Sequence, residues 1–423
     1  ATQLAHLTTA QVAALSTAQI ASLEPASLAA LGTHQFVAMG SAQIAAFTTA
    51  QAAVLETADL AKLSSSQLRA LSNENITALE ADHIAALTTA QVAALAAGQA
   101  AAIDPADLAA MGTAARAALA TAAINALSTA QLDALDGAQM AKLGTAQVAA
   151  LNTEQVASLE AYKLASLTSL QYQALATSQI AAITTTQAEA LETVDVAALG
   201  THQLRALGAD QVAKLTVEAV QALTTNQIVA LTTAQVAALT PTQLSGMDVA
   251  DVGALTSVQV GVLTTEQFAA FSSAQLATLN ATQVGGWSTA QITSLSPDAL
   301  AALDTAQFAG LTTAQLAAIS PEQAAALPGG SIAALNSAQI RALDPSAVGA
   351  LSTAAVVALG THQIPALSTQ QLNSLSAEQV QAALSHPGLP WAEPPLPTEI
   401  DGGVGGSAVR AAPELDVLDP AGF

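Results

Sequence analysis

The sequence contains no cysteine, and this absence excludes disulfide bonds and thiolate metal sites. Aromatic residues make up only 2% of the 423 residues and charged residues 9%, whereas ordinary globular domains carry about 25% charged residues. Basic residues are especially scarce, since 9 Lys and Arg stand against 31 Asp and Glu for a net charge of −22. Phosphate contacts depend on Lys and Arg, so we expect no nucleic-acid partner and no binding to anionic membrane surfaces.

Long hydrophobic runs are also missing, although 52% of the residues are apolar. Thr and Gln interrupt every apolar run well before the ~18 residues that a membrane-spanning helix needs. The first residues, Ala1-Thr2-Gln3-Leu4, lack the basic region and apolar core of a secretory signal peptide. We therefore predict no membrane insertion and no N-terminal signal. Because the chain begins with Ala1 and not with Met, we expect a processed chain or a fragment.

The sequence consists mainly of one repeated octapeptide. With Leu7 at position 1, residues 7–382 form 47 consecutive copies of Leu-Ser/Thr-Thr-Ala-Gln-Val/Ile-Ala-Ala without an insertion or deletion. Position 1 is apolar in every copy, and position 6 is nearly always a large apolar residue, with Arg116 as the one charged exception. The sequence thus divides into an N-terminal end (1–6), the octapeptide array (7–382) and a Pro- and Gly-rich tail (383–423).

Each octapeptide has the signals of one short helix. Position 6 and the next position 1 are three residues apart and therefore share a helix face. Position 2 is a Ser, Thr, Asn, Asp, Glu or Gly in 43 copies, and position 5 is Gln in 32 copies, which together make the Ser/Thr-x-x-Gln capping box. Six prolines fall at position 3, where a helix tolerates proline best: Pro25, Pro105, Pro241, Pro297, Pro321 and Pro345. We predict one helix of about six residues in each octapeptide, followed by a sharp corner.

Helices of two turns are unstable alone and must pack against neighbouring repeats. We therefore predict an all-α solenoid, a superhelical coil with positions 1 and 6 inside and close approach through the alanines. We expect the position 5 glutamines either to cap their own helix or to bond to an adjacent coil, in competition. The number of octapeptides in one superhelical turn, and its handedness, do not follow from the pattern.

The array offers few groups that could carry chemistry. His34, His202 and His362 occur in identical Gly-Thr-His-Gln contexts, 21 and 20 octapeptides apart, so they cannot converge within one elongated solenoid. We interpret them as repeat variation and not as metal ligands. Asp82 and His83, beside Glu80, are expected to form a solvent-facing polar cluster. No catalytic, cofactor-binding or metal-ligating residue is predicted, and we expect a protein that is not an enzyme.

Three sequence motifs have plain interpretations. Asn75-Ile76-Thr77 and Asn280-Ala281-Thr282 match the glycosylation sequon, which arises often by chance in a Thr-rich chain. The run Gly402–Gly406 has neither the lysine nor the following helix of a phosphate loop, so we interpret it as linker.

The tail leaves two interpretations open. Residues 386–423 hold seven of the fifteen prolines, which predicts an extended or disordered end. Alternatively, Trp391 and the prolines around it cover the last coil or dock on a neighbouring copy.

The array resembles the tandem Leu-Thr-Thr-Ala-Gln-Val-Ala-Ala repeats of large, low-complexity bacterial surface proteins that are described as adhesin-like or haemagglutinin-like. The resemblance covers residues 7–382 and is shown best by Leu231–Ala238. It implies an extracellular or cell-surface location in a Gram-negative bacterium. On that basis, residues 415–423 are a candidate C-terminal secretion signal.

Three functions remain in competition at this stage. The leading hypothesis is a secreted structural protein that self-assembles into a filament, sheath or stalk, with a second copy of the chain as its partner. The second is an adhesin-type binding module that presents the solenoid surface to a host protein or glycan; the aromatic residues Tyr162, Tyr172 and Trp287 do not cluster as such a surface would require. The third is an intracellular scaffold.

Overall fold

A computed structural model describes residues 4–384, and throughout this range the chain is helical, without a β-strand. It contains 46 α-helices, numbered α1 to α46 in chain order, and two 3₁₀ helices, Leu4–His6 and Ile364–Ala366. Helices α1 to α16 are Thr9–Ala13, Thr17–Ala21, Pro25–Leu28, Thr33–Ala38, Ser41–Ala45, Thr49–Ala52, Thr57–Leu60, Ser65–Ala70, Asn73–Thr77, Ala81–Ala85, Thr89–Ala94, Ala97–Ala101, Pro105–Ala110, Thr113–Ala117, Thr121–Ala126 and Thr129–Asp133. Helices α17 to α32 are Gly137–Met140, Thr145–Ala149, Thr153–Ser158, Ala161–Ala165, Ser169–Ala174, Thr177–Ala181, Thr185–Glu189, Thr193–Ala198, Thr201–Ala206, Ala209–Lys214, Val217–Gln221, Thr225–Ala230, Thr233–Ala238, Pro241–Gly246, Val249–Ala254 and Ser257–Gly261. Helices α33 to α46 are Thr265–Ala269, Ser273–Leu276, Ala281–Gly285, Thr289–Ser294, Pro297–Ala301, Thr305–Gly310, Thr313–Ala317, Pro321–Ala325, Gly329–Ala333, Ser337–Ala342, Pro345–Ala350, Thr353–Val357, Thr369–Ser374 and Ala377–Leu384.

The prediction of one short helix in each octapeptide is therefore confirmed. Helix α29 shows how the sequence produces it: Thr232 has extended backbone (φ −71°, ψ 157°), and its hydroxyl accepts a hydrogen bond from the N–H of Gln235 at 3.2 Å. In return the Gln235 side chain accepts from the N–H of Thr232 at 2.8 Å, which completes the capping box. At the other end Leu239 returns to extended backbone (φ −59°, ψ 134°), and its N–H donates to the carbonyl of Val236. Two extended residues at positions 1 and 2 make each corner.

The prolines obey the same geometry. All six position 3 prolines are the first residue of a helix, where the missing N–H has no intrahelical partner to lose. Pro328 is the N-cap residue of α41. Pro365, at position 7, lies inside the 3₁₀ helix Ile364–Ala366, so the octapeptide with a late proline is the one between α44 and α45 that forms no α-helix.

Three octapeptides make one turn of the coil. Each helix packs against the third helix after it, as α26 does on α29 and α29 on α32. One turn therefore contains 24 residues, and helices of successive turns stack in three parallel columns. At a helix spacing of about 8–10 Å, the roughly 16 turns give a rod on the order of 140 Å long.

The core is a single apolar column along the axis of this rod. It is filled by positions 1 and 6, as predicted: in the middle of the array Val236 is fully buried and Leu239 is 1% exposed. These side chains contact their equivalents in the turns above and below. Each turn contributes only a thin layer, which is how a chain rich in alanine and poor in aromatics builds a continuous interior. None of the described helices is long and apolar enough to cross a bilayer.

Candidate functional site

The dominant polar feature of the structure is a ladder of buried glutamines at position 5. Gln235 is 1% exposed, and its Nε2 donates to the carbonyls of Leu204 at 2.7 Å and Leu207 at 2.8 Å, both in the preceding turn. The same contacts, 31 and 28 residues back, recur along the array. Of the 32 position 5 glutamines, all except Gln11 and Gln19 donate to the preceding turn. The ladder therefore ties each turn to the next.

The expected competition between capping and bonding to an adjacent coil is wrong. Gln235 does both at once, because Oε1 accepts from its own N-cap residue while Nε2 donates to the preceding turn. An amide has separate acceptor and donor ends, so one side chain satisfies the start of its own helix and the corner of the helix below.

The expectation of a solvent-facing cluster at Asp82 and His83 is wrong in part. Asp82 is exposed, but His83 occupies position 5 and is only 7% exposed. Its Nδ1 accepts from the N–H of Glu80 at 3.0 Å and its Nε2 lies 2.6 Å from the carbonyl of Leu55, 28 residues back. With the proton on Nε2, the imidazole reproduces both ends of the glutamine. The octapeptide position, and not the neighbouring charges, was the signal that could have placed it.

Other substitutions at position 5 preserve the ladder to different degrees. Lys163 is 2% exposed, and its Nζ donates to the carbonyl of Asp133 at 2.5 Å and to its carboxylate at 2.6 Å. Burial lowers the pKa of Lys163, but the hydrogen bond and the charge of Asp133 outweigh it and raise the pKa overall. Asp195 is 2% exposed and, as a carboxylate, has no donor for the preceding turn. Burial consequently raises the pKa of Asp195 to about 6.

Arg116 is the one basic residue at the core position 6, and it is 5% exposed. One guanidinium nitrogen donates to the carbonyls of Ala109 at 3.0 Å and Met111 at 2.5 Å, while its Nε has no partner. Because Met111 is already served, Gln139 donates to Ala109 instead. Burial lowers the pKa of Arg116. This is a local defect in the ladder, with no carboxylate bound to it.

The three repeated histidines stay apart, as expected from their spacing. His34 and His202 are second residues of α4 and α25, and His362 lies just before the 3₁₀ helix Ile364–Ala366. Within residues 4–384 there is no group of three or more His, Asp or Glu side chains that could hold a metal ion.

Aromatic residues and sequons add no binding surface to the described residues. Tyr172 and Trp287 are core residues, and the Tyr172 hydroxyl donates to the carbonyl of Leu164 at 2.8 Å. Tyr162 stands alone at 56% exposure. Asn75 is 1% exposed with its amide on the carbonyl of Phe47 at 3.0 Å, so this sequon is closed to modification in the folded chain. Asn280 is an exposed N-cap.

The surface charge differs between the three columns. The first column, which begins with the octapeptide at Leu7, holds 13 acidic and 2 basic residues, a net of −11. The second column, which begins at Leu15, holds 6 acidic and 5 basic residues, a net of −1, and the third holds 6 and 1, a net of −5. The acidic residues of the first column are Glu56, Asp59, Glu80, Asp82, Asp104, Asp107, Asp133, Glu154, Asp248, Asp251, Asp298, Glu322 and Asp344. One side of the rod is thus strongly acidic, and another is almost neutral.

The last turn of the array opens into an apolar cavity of about 140 Å³. Its lining consists of the position 1 and position 6 residues that a following turn would cover: Val356, Leu359, Ile364, Leu367, Leu372, Leu375 and Val380, with Ala383 and Leu384. Leu372 is 45% exposed and Val380 41%, whereas position 6 residues inside the array are fully or almost fully buried. The sequence pattern alone did not indicate this cavity, because Leu372 and Val380 look like any other core position.

The tail predictions concern residues that lie outside the described part of the chain. These are the linker at Gly402–Gly406, the docking of Trp391 and the secretion signal at 415–423.

Comparison with known proteins identifies the repeat. No curated protein matches the chain. The family model of the ALTTAQ repeat matches ten segments that together span more than half of the residues: 20–56, 52–89, 100–137, 117–145, 129–161, 188–225, 220–249, 244–281, 268–305 and 332–369. These segments coincide with the octapeptide solenoid, and the chain belongs to the ALTTAQ repeat family.

Proposed function

We propose that this protein is a non-enzymatic structural protein, secreted to the cell surface or the extracellular space of a Gram-negative bacterium, where it self-assembles end to end into a filament, sheath or stalk. The observation that carries the proposal is the ladder of position 5 glutamines. A rule that adds one turn to another through the same bonds has no built-in stop, and so favours growth along the axis.

The rod also suits such a role in its stiffness. Each turn is tied to the next by three helix contacts, by the continuous core and by the two-way hydrogen bonds of position 5. Bending the rod would open these buried bonds on one side, at about 1–3 kcal/mol for each polar group left unpaired. The strongly acidic first column opposes side-by-side packing of like faces, which favours lengthwise over disordered assembly.

Electron microscopy of the purified full chain tests the proposal. We expect rods longer than one molecule, increasing in number with protein concentration. Rods should also increase from low salt to about 0.15 M salt, where screening shortens the range of repulsion to about 8 Å. Dispersed monomers at all concentrations and salt conditions would refute self-assembly. Fractionation of the native cells with an antibody to the array tests the location separately, because an intracellular scaffold would remain with the cytoplasm.

A further inference from the structure

The two ends of the array carry complementary unsatisfied groups. At the last turn, Leu359, Leu367 and Leu375 occupy position 1, whose carbonyl elsewhere accepts from a glutamine 28 residues later. The residues 28 positions after these three leucines are Pro387, Pro395 and Gly403, none of which has a side-chain donor. The chain therefore cannot continue the ladder in its own register beyond Gln379.

The first turn presents the opposite half of the ladder. Gln11 and Gln19 are exposed, and their Oε1 atoms cap their own helices by accepting from Thr8 and Ser16, each at 2.8 Å. Their Nε2 groups have no acceptor among the described residues, because the acceptors elsewhere lie in a preceding turn. Two donors are thus oriented along the axis at one end, and unmatched carbonyls lie at the other.

The apolar groups at the ends match in the same way. At the first turn the position 6 residues Val12 and Ile20 are fully buried, and the position 1 residues Leu7 and Leu15 are only partly buried. At the last turn the position 6 residues Leu372 and Val380 are exposed and line the cavity. Inside the array each kind of residue is buried by the other in the adjacent turn. The ends therefore fit as consecutive turns of one solenoid.

Charge does not oppose this contact. Residues 7–22 contain no charged residue and residues 367–382 contain only Glu378, although the whole chain carries −22. The contact surfaces are almost neutral, so the repulsion between two acidic molecules falls mainly on their sides.

We propose that the cavity at the last turn is filled by the first turn of a second copy, which continues the ladder between molecules. This rests on the proposed end-to-end assembly and specifies its contact. If residue 1 of the second copy continues the register after Leu384, Gln11 donates to the carbonyls of Ile364 and Leu367, and Gln19 donates to those of Leu372 and Leu375.

Directed cross-linking tests this register, and the native chain supports it because it has no cysteine. Position 3 and the position 8 that follows 29 residues later lie side by side in adjacent turns: a Cβ built on Gly137 lies 3.1 Å from the Cβ of Ser166. Such a pair is close to the Cβ separation of about 3.5–4.5 Å in disulfides. Across the proposed contact the equivalent pair is Thr369 of one copy and Ala14 of the other, both exposed.

The experiment mixes two full-length single-cysteine proteins, Ala14→Cys and Thr369→Cys, and oxidises them. The matched control replaces Thr369→Cys by Thr305→Cys, which is an exposed position 3 residue in mid-array. We expect a disulfide-linked pair in at least about ten-fold excess over the control, because docking raises the effective thiol concentration. Equal yields for both pairs would overturn the inference.

Two further results distinguish the inference from the proposed function. Filaments without the Ala14–Thr369 cross-link would leave self-assembly standing and overturn this contact, whereas the absence of both would refute the two together. A Leu372→Cys protein that reacts slowly with a thiol reagent as a monomer would show that the chain's own tail covers the cavity, which also overturns the inference. The double variant Gln11→Ala/Gln19→Ala should form several-fold fewer filaments, and the exposed mid-array change Gln173→Ala should have no effect.

Discussion

The glutamine ladder makes a prediction at Gln235, in the middle of the array. Replacement by alanine removes the donor for two buried carbonyls and the acceptor for the N–H of Thr232. The carbonyl of Leu204 keeps a bond from the N–H of Leu207, but that of Leu207 loses its donor. Each bond contributes about 0.5–1.5 kcal/mol, and a buried acceptor without a donor costs about 1–3 kcal/mol. We expect Gln235→Ala to destabilise the protein by about 2–4 kcal/mol.

The measurement is urea unfolding followed by circular dichroism, together with hydrogen exchange of the turns on either side of α29. Exchange is needed because repeat arrays open locally and do not always unfold in one step. The exposed change Gln173→Ala is the control, and it should shift stability by less than about 0.5 kcal/mol.

The variant Gln235→Glu separates the donor from the volume of the side chain. Its ionised carboxylate places negative charge against two carbonyl oxygens, so the loss of stability should be at least as large as that of Gln235→Ala at pH 8. Burial raises the pKa of such a carboxyl, and the protonated form regains one donor. The loss should therefore shrink as the pH falls through the raised pKa, in the range near 6 that Asp195 shows at the same position. Equal stability of Gln235→Ala and Gln173→Ala, or a Gln235→Glu deficit that does not change with pH, would refute the role of the ladder.

Three other predictions follow from the same geometry. The pKa of Asp195 is raised to about 6, so its contribution to stability is present below about pH 4 and is lost as the pH rises through 6. Asp195→Asn, which can donate as Asn75 does, should stabilise the protein at pH 8 by about 1–3 kcal/mol and flatten the pH dependence of urea unfolding. Arg116→Leu should be neutral or raise stability by about 1–3 kcal/mol in the same assay, because it removes a buried guanidinium with an unpaired Nε. A single alanine inserted between Ala238 and Leu239 should lower the melting temperature markedly, whereas a whole octapeptide Leu-Thr-Thr-Ala-Gln-Val-Ala-Ala inserted there should be tolerated, since only the first misplaces every later contact three repeats away.

Each of these has a clear contrary result. A pH dependence of unfolding that persists unchanged in Asp195→Asn would mean that other carboxyls cause it. A large loss of stability in Arg116→Leu would show that its bonds to Ala109 and Met111 stabilise the corner beyond the cost of burying the charge. Equal melting temperatures for the one-residue and eight-residue insertions would contradict a strict 24-residue turn.

The local structure was largely predictable because its causes are local. The cap at position 2, the proline at position 3 and the glutamine at position 5 act within one octapeptide, so they predict where α29 begins and ends. His83 was misjudged because its neighbours Glu80 and Asp82 suggested a polar surface, while its place in the repeat points it at the carbonyl of Leu55.

What the sequence by itself determined is the repeating unit: one helix in each octapeptide, its start, its corner and its two core positions. Only the tertiary structure decided that three such units close a turn, because that number depends on the angle of each corner and on the packing of helices 24 residues apart. From that one number follow the contacts 28 and 31 residues apart, the acidic column and the open cavity beyond Gln379. Capping is a property of a few consecutive residues, whereas the turn closes only when residues distant in the chain pack against each other.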